Sequence, residues 1–384
     1  MQSHVKPIAI LFSNLKGNIG DFAILEAVLT DLQRSFPNCP VKLFPHGHRA
    51  IDSERVAAFK NMSGFEFEIS TLIKAPSLPR GSGALLRLGV WPVIQVGLIE
   101  GLAVLQSSLT AEFKKCDFVC VVGGDHWNGA RLGSAMFGAI RIAQRLGKRI
   151  YCYPFSLNPK VRRYNSAASL RRYFGAVTPP IIARDSLSKK VLSDAGVDVV
   201  FGSDSVYGLK PLFASEKLPS TSAKKIIICV TRGKRESGGE STAKILRILR
   251  DRFELSEIEV LSTCEVEDAP ELQLLEGLEG LRITYPITWQ DAVVTFRRAS
   301  IVITNRLHAL ILASLSGAVV LPVTNREKSK AFAIDADLRH SCRNADAVTA
   351  DIVEECIDCT DEVIEKLRIH SEAEHMKRHA PSFE

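Results

Sequence analysis

Short apolar runs alternate with helical patterns along most of the chain. Residues 5–12, 118–122, 225–230 and 301–304 are rich in Val, Ile and other strand-forming residues. Between such runs, apolar residues recur at helical spacing, as in residues 21–36. This alternation predicts βαβ units and a mainly parallel sheet, and therefore an α/β fold.

A change in composition divides the chain into two halves. Residues 205–223 are rich in Ser, Pro and Lys and show little periodicity, which predicts a linker. We therefore expect a Rossmann-like domain over residues 1–204 and a second one, with C-terminal helices, over residues 224–384. The 384 residues, 46% of them hydrophobic, suffice for two separate cores.

Charge and cysteine content indicate which partners and which cellular compartment to expect. The net charge of +6 looks spread along the chain, without the basic and aromatic pattern of a nucleic-acid groove, so we expect no nucleic-acid partner. It suits an anionic substrate or an anionic membrane face. The nine cysteines are odd in number and scattered, which indicates a reducing compartment. With no signal-peptide pattern at the start, we expect a cytoplasmic protein.

One uncharged stretch, residues 88–99, is apolar but too short to span a bilayer, which needs about 20 apolar residues. A core helix or a lid is the favoured interpretation. The alternative is a ledge that contacts the inner face of a membrane or a lipid-linked substrate.

The turn after residues 301–304 carries the clearest chemistry. Arg306 and His308 lie where a strand passes into a helical pattern, at the sheet edge where α/β proteins bind ligands. The guanidinium of arginine is always charged and can bind a carboxylate or phosphate through two N–H groups, and histidine carries protons near neutral pH. The turn therefore predicts an anion clamp beside an acid or base.

Two strand-to-helix turns of the first half are candidates for the opposite wall of a cleft. Gly20 allows close backbone approach, and Asp21 sits where a helix N-cap is expected. In the second turn, Asp125 is suited to accept a proton from a sugar hydroxyl and Trp127 to stack on a sugar ring. The purely structural alternatives are that each aspartate only caps a helix and that Trp127 only packs in the core.

Further cations end strands of the second half. Arg232 follows residues 225–230 and, with the nearby Lys234 and Arg235, suits a polyanion. Lys328 follows the next strand after the Arg306 turn. Arg184 ends a strand of the first half, where pairing with a carboxylate is favoured over anion binding.

Taken in order, these motifs resemble the polysaccharide pyruvyl transferase family from about residue 10 to 335. The residues that carry the resemblance are Gly17, Asn18, Gly20, Asp21, Gly123, Gly124, Asp125, Tyr153, Ser156, Pro159, Ala183, Arg184, Asp185, Ser188, Asp204, Arg306, Leu307, His308, Ala309 and Lys328. The chain departs from the family pattern at Ser205 and Val319, where family members commonly have proline.

The resemblance implies two Rossmann-like domains facing across a cleft, similar to glycosyltransferase type B. It also implies transfer of the enolpyruvyl group of phosphoenolpyruvate to a sugar of a polysaccharide or its precursor, giving a pyruvate ketal and phosphate. No cofactor and no metal are expected, and the partners are phosphoenolpyruvate and a glycan acceptor that is either free or lipid-linked.

Roles follow from this chemistry. We expect His308 to protonate the donor and Asp21 or Asp125 to take the proton of the sugar hydroxyl. The substrate-binding candidates are Arg306, Arg232, Asn18, Gly20, Gly124, Trp127 and Lys328. Two other interpretations stay open: a nucleotide-sugar glycosyltransferase on the same scaffold, and a non-catalytic glycan-binding relative.

Overall fold

The computed structural model describes most of the chain. The described residues are 6–12, 15, 17–45, 51–70, 107–127, 133–157, 166–213, 225–229, 239–273, 275–325, 327–338 and 340–377.

The first half contains two parallel sheets. One has the order β3-β2-β1-β4-β6, and the other has the order β5-β7-β8-β9. The strands are β1 (Ile8–Phe12), β2 (Val41–Pro45), β3 (Glu68–Ile69), β4 (Val119–Val121), β5 (Gly124–Trp127), β6 (Ile150–Cys152), β7 (Phe155–Leu157), β8 (Ile181–Ala183) and β9 (Val199–Phe201). The predicted α/β architecture is thus confirmed for this half.

The second half contains one parallel sheet in the order β12-β11-β10-β13-β14. Its strands are β10 (Ile226–Cys229), β11 (Ile258–Leu261), β12 (Arg282–Thr284), β13 (Ile301–Thr304) and β14 (Val319–Pro322). The register places Cys229 beside Thr304, so β10 and β13 end side by side at the carboxyl edge.

Helices connect the strands, and some of them, such as Ile19–Ser35 and Leu307–Leu315, match the apolar periodicity of the sequence. They are α1 (Ile19–Ser35), α2 (Ser53–Ser63), α3 (Ser107–Lys115), α4 (Gly133–Arg145), α5 (Ala167–Phe174), α6 (Ser186–Ser193), α7 (Lys210–Phe213), α8 (Gly239–Leu249), α9 (Glu265–Leu272), α10 (Trp289–Phe296), α11 (Leu307–Leu315), α12 (Glu327–Asp335), α13 (Ala350–Asp358) and α14 (Thr360–Met376).

Alternate residues of β1 enter two different cores, as the two-residue period of a strand requires. Ile8 and Ile10 pack in a cluster with α1, and this cluster continues into the second half. Ala9 and Leu11 pack on the other face, with helices α3 to α6. The face of the first sheet that carries α1 therefore faces the second half.

The segment between the halves is partly folded. Residues 205–209 form a 3-10 helix that leads into α7, and its Val206, Tyr207 and Leu209 are buried. The Tyr207 hydroxyl lies 3.1 Å from Nε2 of His370 on α14. The C-terminal helix thus packs against the start of the predicted linker, while residues 214–224 lie outside the described part.

Two local expectations are wrong. Asn18, rather than Asp21, is the N-cap of α1, because its side-chain oxygen accepts the Gly20 N–H at 3.0 Å. Residues 155–157, expected as part of a proline-bounded turn, form strand β7. Such a short buried parallel strand carries no periodicity in its sequence.

All nine cysteines are free thiols. Across the described ranges, no helix combines the length and apolarity needed to cross a membrane. Residues 88–99 fall outside those ranges, so the choice between core helix, lid and membrane ledge stays a prediction.

Candidate functional site

The N-terminus of α1 docks directly on the second half. The Ile19 N–H donates to the Thr263 carbonyl oxygen at 3.0 Å, and Asn18 forms an isolated antiparallel bridge with Cys264. The predicted Gly-Asp turn of the first half therefore meets the turn between β11 and α9. This contact brings the first α1 turn to the carboxyl edge of the second sheet.

Gly20 lies against the His308 ring. A Cβ atom built on Gly20 would lie 2.2 Å from His308 Nδ1 and 2.5 Å from its Cβ, closer than any real contact. Only glycine permits this approach, so the glycine predicted to admit a ligand admits the imidazole instead. Asn18, Gly20 and His308 are thus brought together.

On its other side, His308 faces a buried carboxylate. His308 Nε2 lies 3.6 Å from Asp204 Oδ2, within ion-pair range but longer than a hydrogen bond. The other carboxylate oxygen of Asp204 accepts the Val206 N–H at 3.0 Å. Asp204 belongs to the first half and His308 to the second, so this pair also crosses the cleft.

Arg184 binds the same carboxylate, Asp204, from the first half. Its guanidinium pairs with Asp204, and its Nε donates to Ser156 Oγ at 2.7 Å. Ser156 lies on β7, Arg184 just after β8, and Asp204 shortly after β9. Three neighbouring strands of the first half thus supply one hydrogen-bonded, charged group next to the His308 ring. The carboxylate partner expected for Arg184 is confirmed.

The protonation state of Asp204 follows from these contacts. Burial alone would raise the pKa of Asp204, but the Arg184 guanidinium and, after it, the His308 ring more than offset burial and hold that pKa well below its usual range. Asp204 is therefore a carboxylate at neutral pH, so a buried negative charge faces the imidazole of His308.

Arg306 is held in place by a second buried carboxylate. Its backbone N–H donates to Thr304 Oγ1 at 3.0 Å, and its guanidinium pairs with Asp268. The other oxygen of Asp268 accepts from Ser262 Oγ at 2.9 Å and from the Cys264 N–H at 3.2 Å. The predicted clamp is thus pre-oriented, because Asp268 is itself fixed at the turn that receives α1.

Asp21 and Lys328 lie close enough to interact across the same cleft. Asp21 occupies the first turn of α1 and is buried, and Lys328 lies on α12, partly buried. Burial lowers the pKa of Lys328 to about 7, although the Asp21 carboxylate acts in the opposite direction. A lysine near neutrality is an acid or base as well as a cation.

Three predicted site residues cannot be placed. Arg232 lies outside the described residues. Asp125 and Trp127 belong to β5, but their side chains also fall outside the described part of the structure. Gly124 pairs with Phe155 of β7 at the end of the second sheet.

Buried polar contacts hold the halves together farther along α1. Glu26 accepts from Trp289 Nε1 at 2.8 Å and from Gln290 Nε2 at 3.0 Å, both on α10. Arg55 of α2 donates to the Pro286 carbonyl at 2.7 Å. The mutual position of the two halves is thus fixed by specific hydrogen bonds near the site.

The sequence alone does not identify two of the partner residues. Asp204 was part of the family pattern, but nothing linked it to His308. Asp268 had no signal, since a single aspartate in a helical pattern is ordinary. In the described part of the chain, no group of His, Cys, Asp and Glu could hold a metal ion.

The two-half α/β architecture is that of the glycosyltransferase type B fold. UDP-GlcNAc 2-epimerase from Neisseria meningitidis, solved with UDP-GlcNAc, is similar at TM-score 0.57 and 14% identity, covering 97% of this chain and 95% of that one. The spinosyn rhamnosyltransferase SpnG is similar at TM-score 0.53 and 12% identity, covering 97% of both chains. At such identities these likenesses show the fold alone.

The sequence profile of one family, polysaccharide pyruvyl transferase, matches residues 18–327. The chain belongs to this family and is a transferase. The matched range contains Asn18, Asp204, Arg306 and His308, the residues that meet at the cleft. A search among curated proteins finds no match.

Proposed function

We propose that this transferase moves the enolpyruvyl group of phosphoenolpyruvate onto two hydroxyls of a sugar, forming a pyruvate ketal and releasing phosphate. The observation that carries the proposal is the His308 ring, held between the α1 N-terminus and the Asp204 carboxylate at the contact of the two halves. Histidine is the side chain best suited to carry a proton near neutral pH, and here its ring is fixed where the two halves meet.

The reaction needs one proton donor and one proton acceptor. A proton from the His308 imidazolium goes to the methylene carbon of phosphoenolpyruvate, which becomes a methyl group and leaves the adjacent carbon electrophilic. A first sugar hydroxyl attacks that carbon and loses its proton. The bond from that carbon to the phosphate oxygen then breaks, and the second hydroxyl bonds to the same carbon and gives its proton to the departing phosphate. The base returns the first proton to His308, so one donor and one diol give one ketal and one phosphate.

The donor carries a carboxylate and a phosphate, so it needs more than one cationic partner. Arg306, oriented by Asp268, and Lys328 are the described candidates. Arg232 follows β10 in the sequence, and β10 ends beside β13. This order supports Arg232 as a second arginine for the anionic donor. No metal or cofactor takes part in this scheme.

The acceptor side is proposed to be the first half. Asp21, in the first turn of α1, and Asp125 on β5 are the candidate bases, and Trp127 is the candidate stacking residue for the sugar. Lys328 shares the environment of Asp21, and its lowered pKa suits proton exchange with it. The acceptor is a glycan, free or lipid-linked, met in the cytoplasm or at the inner membrane face.

The main competing function is a nucleotide-sugar glycosyltransferase, because enzymes of this fold include a rhamnosyltransferase. The two functions differ in the donor. We expect phosphoenolpyruvate, but not UDP-sugars, to raise the melting temperature, since only a ligand of the native state stabilises it. We also expect phosphate release from phosphoenolpyruvate that depends on an acceptor, tested over a panel of glycans.

A melting shift with UDP-sugars alone would contradict the proposal and support the glycosyltransferase. Binding of glycan without any phosphate release over the whole panel would support a non-catalytic relative. Arg306→Gln is the matched binding variant, since it removes the charge but keeps a long polar side chain.

A further inference from the structure

The C-terminal helix α14 contacts the segment that carries Asp204. Asp204 is the N-cap of the 3-10 helix over residues 205–209, and its side chain accepts the Val206 N–H at 3.0 Å. The Tyr207 N–H donates to the Asp204 carbonyl oxygen at 3.2 Å. A movement of this short helix would therefore also move the carboxylate that faces His308.

Two histidines of α14 bind Tyr207 at its two polar ends. The Tyr207 hydroxyl lies 3.1 Å from His370 Nε2, and the Tyr207 carbonyl oxygen lies 2.9 Å from His375 Nδ1. A carbonyl oxygen only accepts, so His375 Nδ1 carries the proton of that bond. Tyr207 and His370 are both buried, and their rings meet edge to face with centroids 6.0 Å apart. Tyr207 is thus held by two hydrogen bonds and one ring contact.

His370 is itself held in place by α12, the helix that carries Lys328. The His370 ring meets the Phe332 ring edge to face with centroids 5.4 Å apart, and the backbone of Asp335 accepts a hydrogen bond from His370. Burial lowers the pKa of His370, so its ring is neutral at neutral pH. A neutral imidazole has one N–H and one acceptor nitrogen, which suits one bond to the Asp335 carbonyl and one from the Tyr207 hydroxyl.

The 3-10 helix also contacts two elements that build the site. It packs against α1, whose first turn contains Gly20, and against α11, which carries His308. Its Val206 and Leu209 are buried in the core that continues from one half into the other. Apolar burial keeps this helix in the core but has no preferred direction, whereas hydrogen bonds depend on distance and angle. The two bonds to Tyr207 therefore set the exact position of the helix.

We propose that His370 and His375 are positioning residues for the pair formed by Asp204 and His308. They act through Tyr207, and so hold the Asp204 carboxylate at its distance of 3.6 Å from His308 Nε2. A misplacement of about 1 Å in an active site can cost about 100-fold in rate, even when the altered residue lies away from the reacting atoms. The effect on turnover rests on the proposed function, whereas the effect on the position of Asp204 does not.

Amide hydrogen exchange of the full-length protein tests the positioning without any substrate. The N–H groups of Val206 and Tyr207 both donate to Asp204, so their exchange reports how firmly this segment is held. In Tyr207→Phe and in His370→Leu, these two amides should exchange about tenfold faster, as expected for one lost buried hydrogen bond. Exchange in strand β10 should stay the same. Unchanged exchange at both amides, or an equal increase in β10, would overturn the proposal.

Turnover of phosphoenolpyruvate with an acceptor gives the second readout. In His370→Leu and His375→Leu, kcat should fall by about 10- to 100-fold while KM stays within about twofold, since neither residue contacts the substrate in this proposal. His370→Gln and His375→Asn, whose amides lie near the positions of the lost ring nitrogens, should restore most of kcat. In a His308→Ala background, His370→Leu should leave the residual rate unchanged, because a residue that acts through His308 has no effect without it.

The matched control is His340→Leu, which removes an imidazole that pairs with Glu355 of α13 at 3.5 Å and not with Tyr207. It should change neither exchange nor turnover. A similar loss in this control, or a further loss from His370→Leu in the His308→Ala background, would overturn the proposal.

Melting curves check that every variant is folded. If His370→Leu does not fold, Tyr207→Phe carries the test, since it removes a single oxygen atom and keeps the buried ring. Absence of phosphate release by the unmodified protein would contradict the proposed function, and hydrogen exchange alone would then decide whether the two histidines position Asp204.

Discussion

His308 Nε2 lies 3.6 Å from the Asp204 carboxylate, although the two residues belong to different halves of the chain. Their contact exists only when the halves are assembled as in this structure. The candidate acid and the carboxylate that faces it are thus coupled to the docking of α1 on the second sheet. The first predictions test this coupling.

Asp204→Asn should slow turnover and destabilise the fold. The variant removes the charge beside His308 and leaves the Arg184 guanidinium buried without its carboxylate, a change that costs about 3–5 kcal/mol in comparable pairs. We expect kcat to fall by at least about tenfold, with a smaller change in KM. The control Asp194→Asn alters an exposed ion pair and should change neither rate nor stability appreciably.

The pH dependence of stability gives an independent check on Asp204. Because its folded pKa lies below the usual value of 3.8, the unfolded chain binds the proton more tightly. The stabilisation by this carboxylate is fully present above pH 3.8 and is lost as the pH falls towards the folded pKa. Urea unfolding should show a weaker loss of stability in acid for Asp204→Asn than for the unmodified protein.

Gly20→Ala tests whether glycine is required by His308. The added methyl group would overlap the imidazole ring, and overpacking of this kind costs about 1–3 kcal/mol. In a double-mutant cycle, His308→Ala should relieve most of that cost, so the double variant is less destabilised than the sum of the single ones. Additive losses of unfolding free energy would contradict the contact.

Lys328→Met should remove a pH-dependent part of the stability. The folded pKa of Lys328 is about 7, against 10.5 for an ordinary lysine, so between these values the unfolded chain binds one more proton. Stability of the unmodified protein should therefore rise with pH across this window, and less so in the variant. Lys330→Met, at an exposed position two residues on, is the control and should keep the rise.

The sequence suffices to predict the strand-to-helix turn on which Arg306 and His308 lie. The β13–α11 turn was placed correctly, since a β-branched run followed by a helical pattern is unambiguous. Parallel strand ends meet at one edge, which brought Arg306 and His308 to the site. The family resemblance added the site candidates of the first half, such as Asn18 and Asp204.

Other features needed the folded chain. The pairing of His308 with Asp204 depends on how two halves dock, which no local pattern encodes. The capping role fell to Asn18 rather than Asp21, because both residue types cap and only the backbone decides where the helix begins.

The central claim is that His308 protonates phosphoenolpyruvate in this cleft. The most direct measurement is acceptor-dependent phosphate release from phosphoenolpyruvate by the unmodified protein and by folded His308→Ala. A general acid contributes about 10²–10⁴-fold, so the account predicts a loss of at least about a hundredfold in kcat. Near-normal turnover by His308→Ala would contradict it.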